Sequence, residues 1–247
     1  MMPKPESSAV RLLLDTPGLR KIGRRLISTA IIRSPSGLRA TIRPSRGERA
    51  LVSKILTMDL YQKYYRIKPS DVVFDIGAHI GAFTIMAGSS VGKGGRVVSI
   101  EPARDNFELM EKNVSLNKLD ETCIPIQCAC GERSDTAKLR VFRTSLSNSF
   151  FERESDYEFL YFEKVEVRAI DEIVRQLGIE SLAFMKINVE GWELEVLKGS
   201  TNTLQQFHPS IAVDTHEFGP PVETIEDYLQ PFGYEKREAT GQINFFV

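Results

Sequence analysis

The chain has 247 residues, of which 42% are hydrophobic and 26% charged, with a net charge of -1; this is room for one sizeable α/β domain with extensions and an ordinary soluble composition. No apolar run approaches the ~20 residues that span a bilayer, and Asp15, Pro17 and basic residues interrupt any signal-peptide core, so a cytoplasmic protein is expected. The three cysteines, Cys123, Cys128 and Cys130, lie at spacings that no zinc motif uses, so they read as reduced core thiols and no metal is expected.

The charge is unevenly placed. Residues 1–70 hold 15 Lys+Arg against 4 Asp+Glu, and residues 71–247 hold 17 against 29. A basic leader on an acidic body fits a nucleic-acid contact, an anionic membrane surface, or packing onto the body itself. Residues 10–33 read as one or two short helices broken at Pro17-Gly18, with Leu19, Ile22 and Leu26 on one face and Arg20, Lys21, Arg24 and Arg25 around the rest. An accessory helix packed on its own domain is the first reading of residues 10–33, and peripheral membrane contact the second. The stretch "IIRSPSGLRATIRP" alternates around Ser36-Gly37 as a hairpin would. Residues 1–48 are thus expected to form a basic extension, helix plus hairpin, and residues 49–247 the main domain.

Arg49 to Arg66 reads as a helix. From Asp71 strands and helices alternate: strand 72–77, helix 82–90, strand 96–102, helix 103–117, strand 123–129. "AKLRVF" and "KVEVRA" read as two further strands around a polar loop. A helix from Asp171 to Leu177 stops at Gly178, strand 182–189 follows, then a helix from Trp192 to Phe207 and strand 209–216. A short helix, 223–230, and the strands "YEKREA" and "INFFV" close the chain, the strands joined by Thr240-Gly241-Gln242 as an antiparallel edge hairpin. This order predicts an α/β fold: a mostly parallel sheet with helices on both faces.

The first main strand ends in "VVFDIGAHIGAFT", where Asp75, Gly77 and Gly81 form D-x-G-x-x-x-G. Glycines there let the backbone, Ala78 included, turn tightly and approach a ligand at the helix start. Neither a dinucleotide fingerprint nor a P-loop is present, which disfavours a pyrophosphate. Glu101 ends the next strand, where an acid meets ribose hydroxyls in such sheets. A carboxylate for a vicinal diol, with Asp75 for the ligand's positive end, describes a pocket for a zwitterionic nucleoside. S-adenosylmethionine is the candidate.

With "IEPARDNFELMEKNVSLN", "VRAIDEIV", "KINVEGWELEVLKGS" and "PSIAVDTHE" following in order, the chain from about Asp71 to Glu217 resembles the FkbM-type methyltransferases. The resemblance implies a Rossmann-like class I methyltransferase fold with a seven-stranded sheet, S-adenosylmethionine as cofactor, and methylation of hydroxyl oxygens on sugars or other small polar metabolites. The family's usual fourth-strand motif resembles K-I-D-V-E-G-x-E. Here Asn188 replaces the acid and is assigned to the cofactor side, as a group that cannot accept a proton at neutral pH.

Ligands of open α/β sheets bind outside the carboxyl ends of the strands. Asn188 and Glu190 close the fourth strand and His216 the fifth, so they are expected to share the crevice of Asp75 and Glu101. Methyl transfer needs alignment and a proton acceptor. Glu190 or His216 is expected to take the proton, Glu193 to orient the acceptor, and Lys186, deeper on the strand, to hold a carboxylate in place. The 143–163 loop, with "SLSNSFF", is expected to cover a small-molecule or glycan acceptor. Two rivals are an RNA methyltransferase using the basic segment, disfavoured by the acidic second half, and a non-catalytic S-adenosylmethionine-binding protein, motivated by Asn188. Nothing in the residues fixes the oligomeric state.

Overall fold

The computed structural model describes residues 29–58, 60–150 and 158–247. The helices read within residues 10–33 lie outside the described residues as far as Ser28. Residues 30–33, their last part, are a strand instead. Strands β1 (Ala30–Arg33) and β2 (Arg39–Ile42) form the antiparallel hairpin around Ser36-Gly37. Helix α1 (Glu48–Thr57) is shorter than the segment read as helical. Beyond it the chain unwinds, and Tyr61 and Tyr65 pack their rings against Phe83 and Phe184 at 5.4 and 5.8 Å between centroids.

The central sheet is built from β3 (Val72–Ile76), β4 (Arg96–Ile100), β5 (Cys123–Ile126), β9 (Phe184–Ile187), β10 (Ser210–Asp214), β11 (Lys236–Thr240) and β12 (Ile243–Phe246). Its order is β11-β12-β10-β9-β3-β4-β5, seven strands in which β12 alone runs antiparallel to its neighbours. The chain builds outward from β3 to β5, then returns to place β9 on the other side of β3. That reversal opens a crevice above the carboxyl ends of β3 and β9.

Both faces are covered, which is why β3 and β9 read as nearly continuous apolar runs. Val73, Val97 and Phe184 share one core with Ile80, Phe83 and Met110; the helices on this side are α2 (Ala82–Val91) and α3 (Arg104–Leu116). Phe74, Val98, Met185 and Ile187 share the other with residues of α4 (Ile170–Leu177), α5 (Glu193–Lys198), α6 (Thr201–Phe207) and α7 (Val222–Leu229). Ala40 and Ile42 of the hairpin belong to the first core. Asn113 and Asn117 of α3 serve the hairpin's backbone: each carboxamide accepts from one amide of β2, at Thr41 and Arg39, and donates to the same residue's carbonyl.

Two long elements read from the sequence are interrupted. The 123–129 strand ends at Ile126, and β6 (Ala129–Cys130) pairs instead with β8 (Phe159–Arg168), which also carries β7 (Asp135–Phe142) in a separate three-stranded sheet. The helix read from Trp192 to Phe207 breaks between α5 and α6 at Gly199-Ser200, where the backbone of Gly131 comes so near that a Cβ on Gly199 would lie 2.0 Å from its carbonyl oxygen. Among the described residues no helix is long and apolar enough to cross a membrane. Cys123, Cys128 and Cys130 are free and buried.

Candidate active site

A cavity of about 410 Å³ opens above the strand ends. Gly77, Glu101 and Asn106 line one part, together with Cys128 to Cys130; Asn188, Glu190, Asp214 and His216 line another. Ser145 to Asn148 and Phe150, from the chain that leaves β7, close it from the side.

The glycine turn is forced by the approach of two strand ends. Gly77 has φ +74°, and a Cβ there would sit 1.8 Å from the carbonyl oxygen of Asn188. Gly81, at φ +80°, faces Met110, whose Cγ would lie 2.8 Å from an added Cβ. Gly81 and Ala78 shape the turn without entering the cavity wall; Gly77 enters it.

Glu101 lines the cavity with 5% of its surface exposed. Its Oε2 accepts from the backbone of His79 at 2.9 Å, and Oε1 from Ala103 N and Asn106 Nδ2 at 3.1 Å each. Burial raises its pKa, and these three donors oppose the rise. The carboxylate is thus held in one orientation at the end of β4, with lone pairs left over for a diol.

Asp75 does not reach the cavity wall. It is fully buried one residue before the end of β3, directly opposite Lys186 in the register of β9. Lys186 Nζ lies 3.0 Å from Asp75 Oδ1 and donates to the Gly77 carbonyl at 2.7 Å, while Thr84 Oγ1 donates to Asp75 Oδ2 at 2.6 Å. Lys186 therefore does hold a carboxylate, but it is that of Asp75, beneath the glycine turn. The pair braces the turn from below.

Glu193 also stands behind the site. Its side chain is fully buried, and Oε1 accepts from Gly191 N at 2.9 Å and Val189 N at 3.4 Å, fastening the turn that carries Glu190. It takes no place in the cavity wall, where an acceptor would be oriented. Burial, which leaves Oε2 without a hydrogen bond, pushes its pKa up from 4.5 to about 7. The folded state binds this proton more tightly than the unfolded chain. The contribution is therefore most favourable below about 4.5 and is lost as pH rises toward 7. On raising the pH from about 5 to about 8, Glu193→Gln is expected to lose fewer degrees of melting temperature than the unaltered chain, by several degrees. Parallel melting curves across that range would show that the Glu193 proton is not linked to folding.

Glu190, Asn188 and His216 do meet. Glu190 sits at φ +54°, a strained backbone for a residue with a Cβ, and its Oε1 lies 3.4 Å from His216 Nε2. Asn188 Oδ1 lies 3.2 Å from the same nitrogen, and Asn188 Nδ2 donates to Asp214 Oδ2 at 3.1 Å. Asp214 also accepts from Tyr61 OH at 3.3 Å. Burial first, then Asp214, drives the Tyr61 hydroxyl well above its usual pKa, so it remains a donor. His216 is stacked on Phe218, 5.3 Å between ring centroids.

Asp214, Tyr61, His79 and Asn106 are among the site residues that the sequence left unassigned. Asp214 was legible in principle, since it lies two residues before His216 at a strand end. Tyr61 was not, because it lies outside the alternating part of the chain. His79 lies within the glycine turn at φ +54°; its Nε2 meets Ser145 Oγ at 2.9 Å, and burial above all pulls its pKa down to about 3, so it is neutral. Ser145 in turn donates at 2.8 Å to the buried Glu48, whose other partner is Arg43. The basic extension is thereby tied to the cavity wall. Among the described residues no three His, Cys, Asp or Glu side chains converge as a metal site. Glu190 and His216 meet, whereas Glu193 is spent on the turn.

The Methyltransferase FkbM domain profile matches residues 75–236. Methyltransferase sdnD of Sordaria araneosa is 23% identical over 219 residues, covering 74% of this chain and 84% of that protein. Hexuronic acid methyltransferase AglP of Haloferax volcanii is 25% identical over 177 residues, covering 71% of this chain and 65% of that protein. The crystal structure of methyltransferase FkbM from Methylobacillus flagellatus KT superposes with a TM-score of 0.55 at 22% identity, over 77% of this chain and 47% of that one. The likeness to that structure is one of fold, and this chain spans about half of its length.

Proposed function

The chain belongs to the FkbM methyltransferase family, with S-adenosylmethionine as cofactor, and from this premise we propose that it methylates a hydroxyl oxygen of a sugar or another small polar metabolite. The observation that carries the reading is a single cavity with Glu101 and Gly77 at its nucleoside end and Glu190 and His216 in the same wall. Its size, about 410 Å³, suits a cofactor with a small acceptor moiety rather than an extended surface. The similarity to a relative named for hexuronic acid supports a sugar acceptor.

When bound, the cofactor supplies a methyl group already activated on a positive sulfur. The residues of the chain hold and orient. Glu101 accepts from the ribose diol, and the Gly77 turn lets the backbone come close to the ligand. Ser145, Ser147 and Asn148 offer hydrogen bonds to a polyol, and Phe150 an apolar face. A Glu190 carboxylate oxygen would take the proton that the acceptor hydroxyl gives up on receiving the methyl group that the cofactor would supply. Alignment of this kind accounts for ~7–11 kcal/mol in favourable cases, more than the ~10²–10⁴-fold contribution of a base.

Calorimetric titration with S-adenosylhomocysteine should show one site per chain, and transfer of labelled methyl to a panel of neutral sugars, uronic acids and amines should yield a base-stable ether. Absence of heat would remove the cofactor assignment. Transfer to nitrogen alone would remove the hydroxyl acceptor.

A further inference from the structure

A chain of polar contacts runs from Tyr61 OH to four residues of the cavity wall, Asp214, Asn188, His216 and Glu190. Its direction can be worked out from chemistry. Asp214 Oδ2 accepts from Tyr61 OH at 3.3 Å and is the acceptor that Asn188 faces at 3.1 Å, so the group of Asn188 turned toward it is the Nδ2 amide. Oδ1 of Asn188 is then the atom 3.2 Å from His216 Nε2. The second neighbour of Nε2 is Glu190 Oε1 at 3.4 Å, which is also an acceptor. Two acceptors facing one ring nitrogen require that nitrogen to carry a proton.

We infer that Asp214 is a positioning residue for methyl transfer, one that locks the Asn188 carboxamide and thereby fixes His216 as an Nε2–H donor held against the Glu190 carboxylate. His216 therefore does not take the acceptor's proton at Nε2; it holds Glu190 as the group that does. This inference rests on the reading of Glu190 as the proton acceptor, but the tautomer of His216 can be read without any acceptor. The geometry also accounts for an amide at 188. A carboxylate there would stand about 3 Å from Asp214, two like charges that cannot both ionise at that separation.

The test is the ¹⁵N imidazole spectrum of the S-adenosylhomocysteine complex. The chain has three histidines, and His216→Gln assigns the signal. In the unaltered protein His216 should show Nε2–H. In Asp214→Leu, or in Asp214→Ala should the larger side chain unfold the strand, Asn188 is free to turn its amide toward the ring, and the single signature should be lost to a mixture of tautomers. Tyr61→Phe removes the other donor to Asp214 and should leave the signature intact. An Nδ1–H tautomer in the unaltered protein overturns the inference, as does an unchanged His216 signal in a folded Asp214 variant. Failure of S-adenosylhomocysteine to bind would instead overturn the cofactor reading, and the same spectrum recorded without it would still decide the tautomer.

Discussion

Lys186→Met is expected to lower the stability of the domain by about 3–5 kcal/mol, the usual consequence of removing one partner from a buried ion pair. For a domain of this size that is a fall on the order of 10 °C in melting temperature. The expectation follows from burial and geometry together. Asp75 is fully buried and Lys186 nearly so, 3.0 Å apart, and the other Asp75 oxygen has only Thr84. A thioether in place of the ammonium leaves the buried Asp75 carboxyl facing no cation, and also removes the donor that holds the Gly77 carbonyl. The double variant Asp75→Asn with Lys186→Met should recover part of the loss, because it removes the stranded charge. S-adenosylhomocysteine affinity should remain weakened in the double variant, since the turn has lost its brace. A single variant that melts within about 1–2 °C of the unaltered chain would show that the pair contributes little to stability.

Glu190→Gln is expected to reduce kcat by about 10²–10⁴-fold while the dissociation constant for S-adenosylhomocysteine changes by no more than about twofold. The amide keeps the size and the contact to His216 but cannot take the proton. The effect should therefore fall on turnover and not on assembly of the site. The measurement is labelled-methyl transfer to whichever member of the acceptor panel is accepted, with calorimetry on the same sample. Turnover within about threefold of the unaltered chain would remove Glu190 as the proton acceptor.

Much of the fold is legible from residue order because its signals are local. Apolar runs of strand length alternate with amphipathic segments from Val72 onward, and short connections leave a parallel sheet as the simplest solution. The D-x-G-x-x-x-G turn and Glu101 are legible for the same reason: each is the end of a strand, and strand ends face the crevice. The misread elements fail where contacts between distant residues override local pattern. Gly199 breaks a helix because Gly131 passes beside it. Ala129 and Cys130 leave the central sheet because β8 offers them another partner. Residues 60–66 are not helical, and the segment lays two tyrosine rings against the core.

The sequence by itself determined the parallel sheet, the glycine turn and Glu101 at the crevice, and the presence of Asn188, Glu190 and His216 at neighbouring strand ends. Only the tertiary structure decided which charged groups face the cavity and which are consumed in support. Asp75 and Lys186 lie on strands separated by more than a hundred residues and neutralise each other below the turn, Glu193 closes on its own backbone, and Asp214 joins Asn188 across the register. The physical reason is that a side chain's parity on a strand fixes the face it points to, whereas its partner is fixed by whatever the rest of the chain packs against that face.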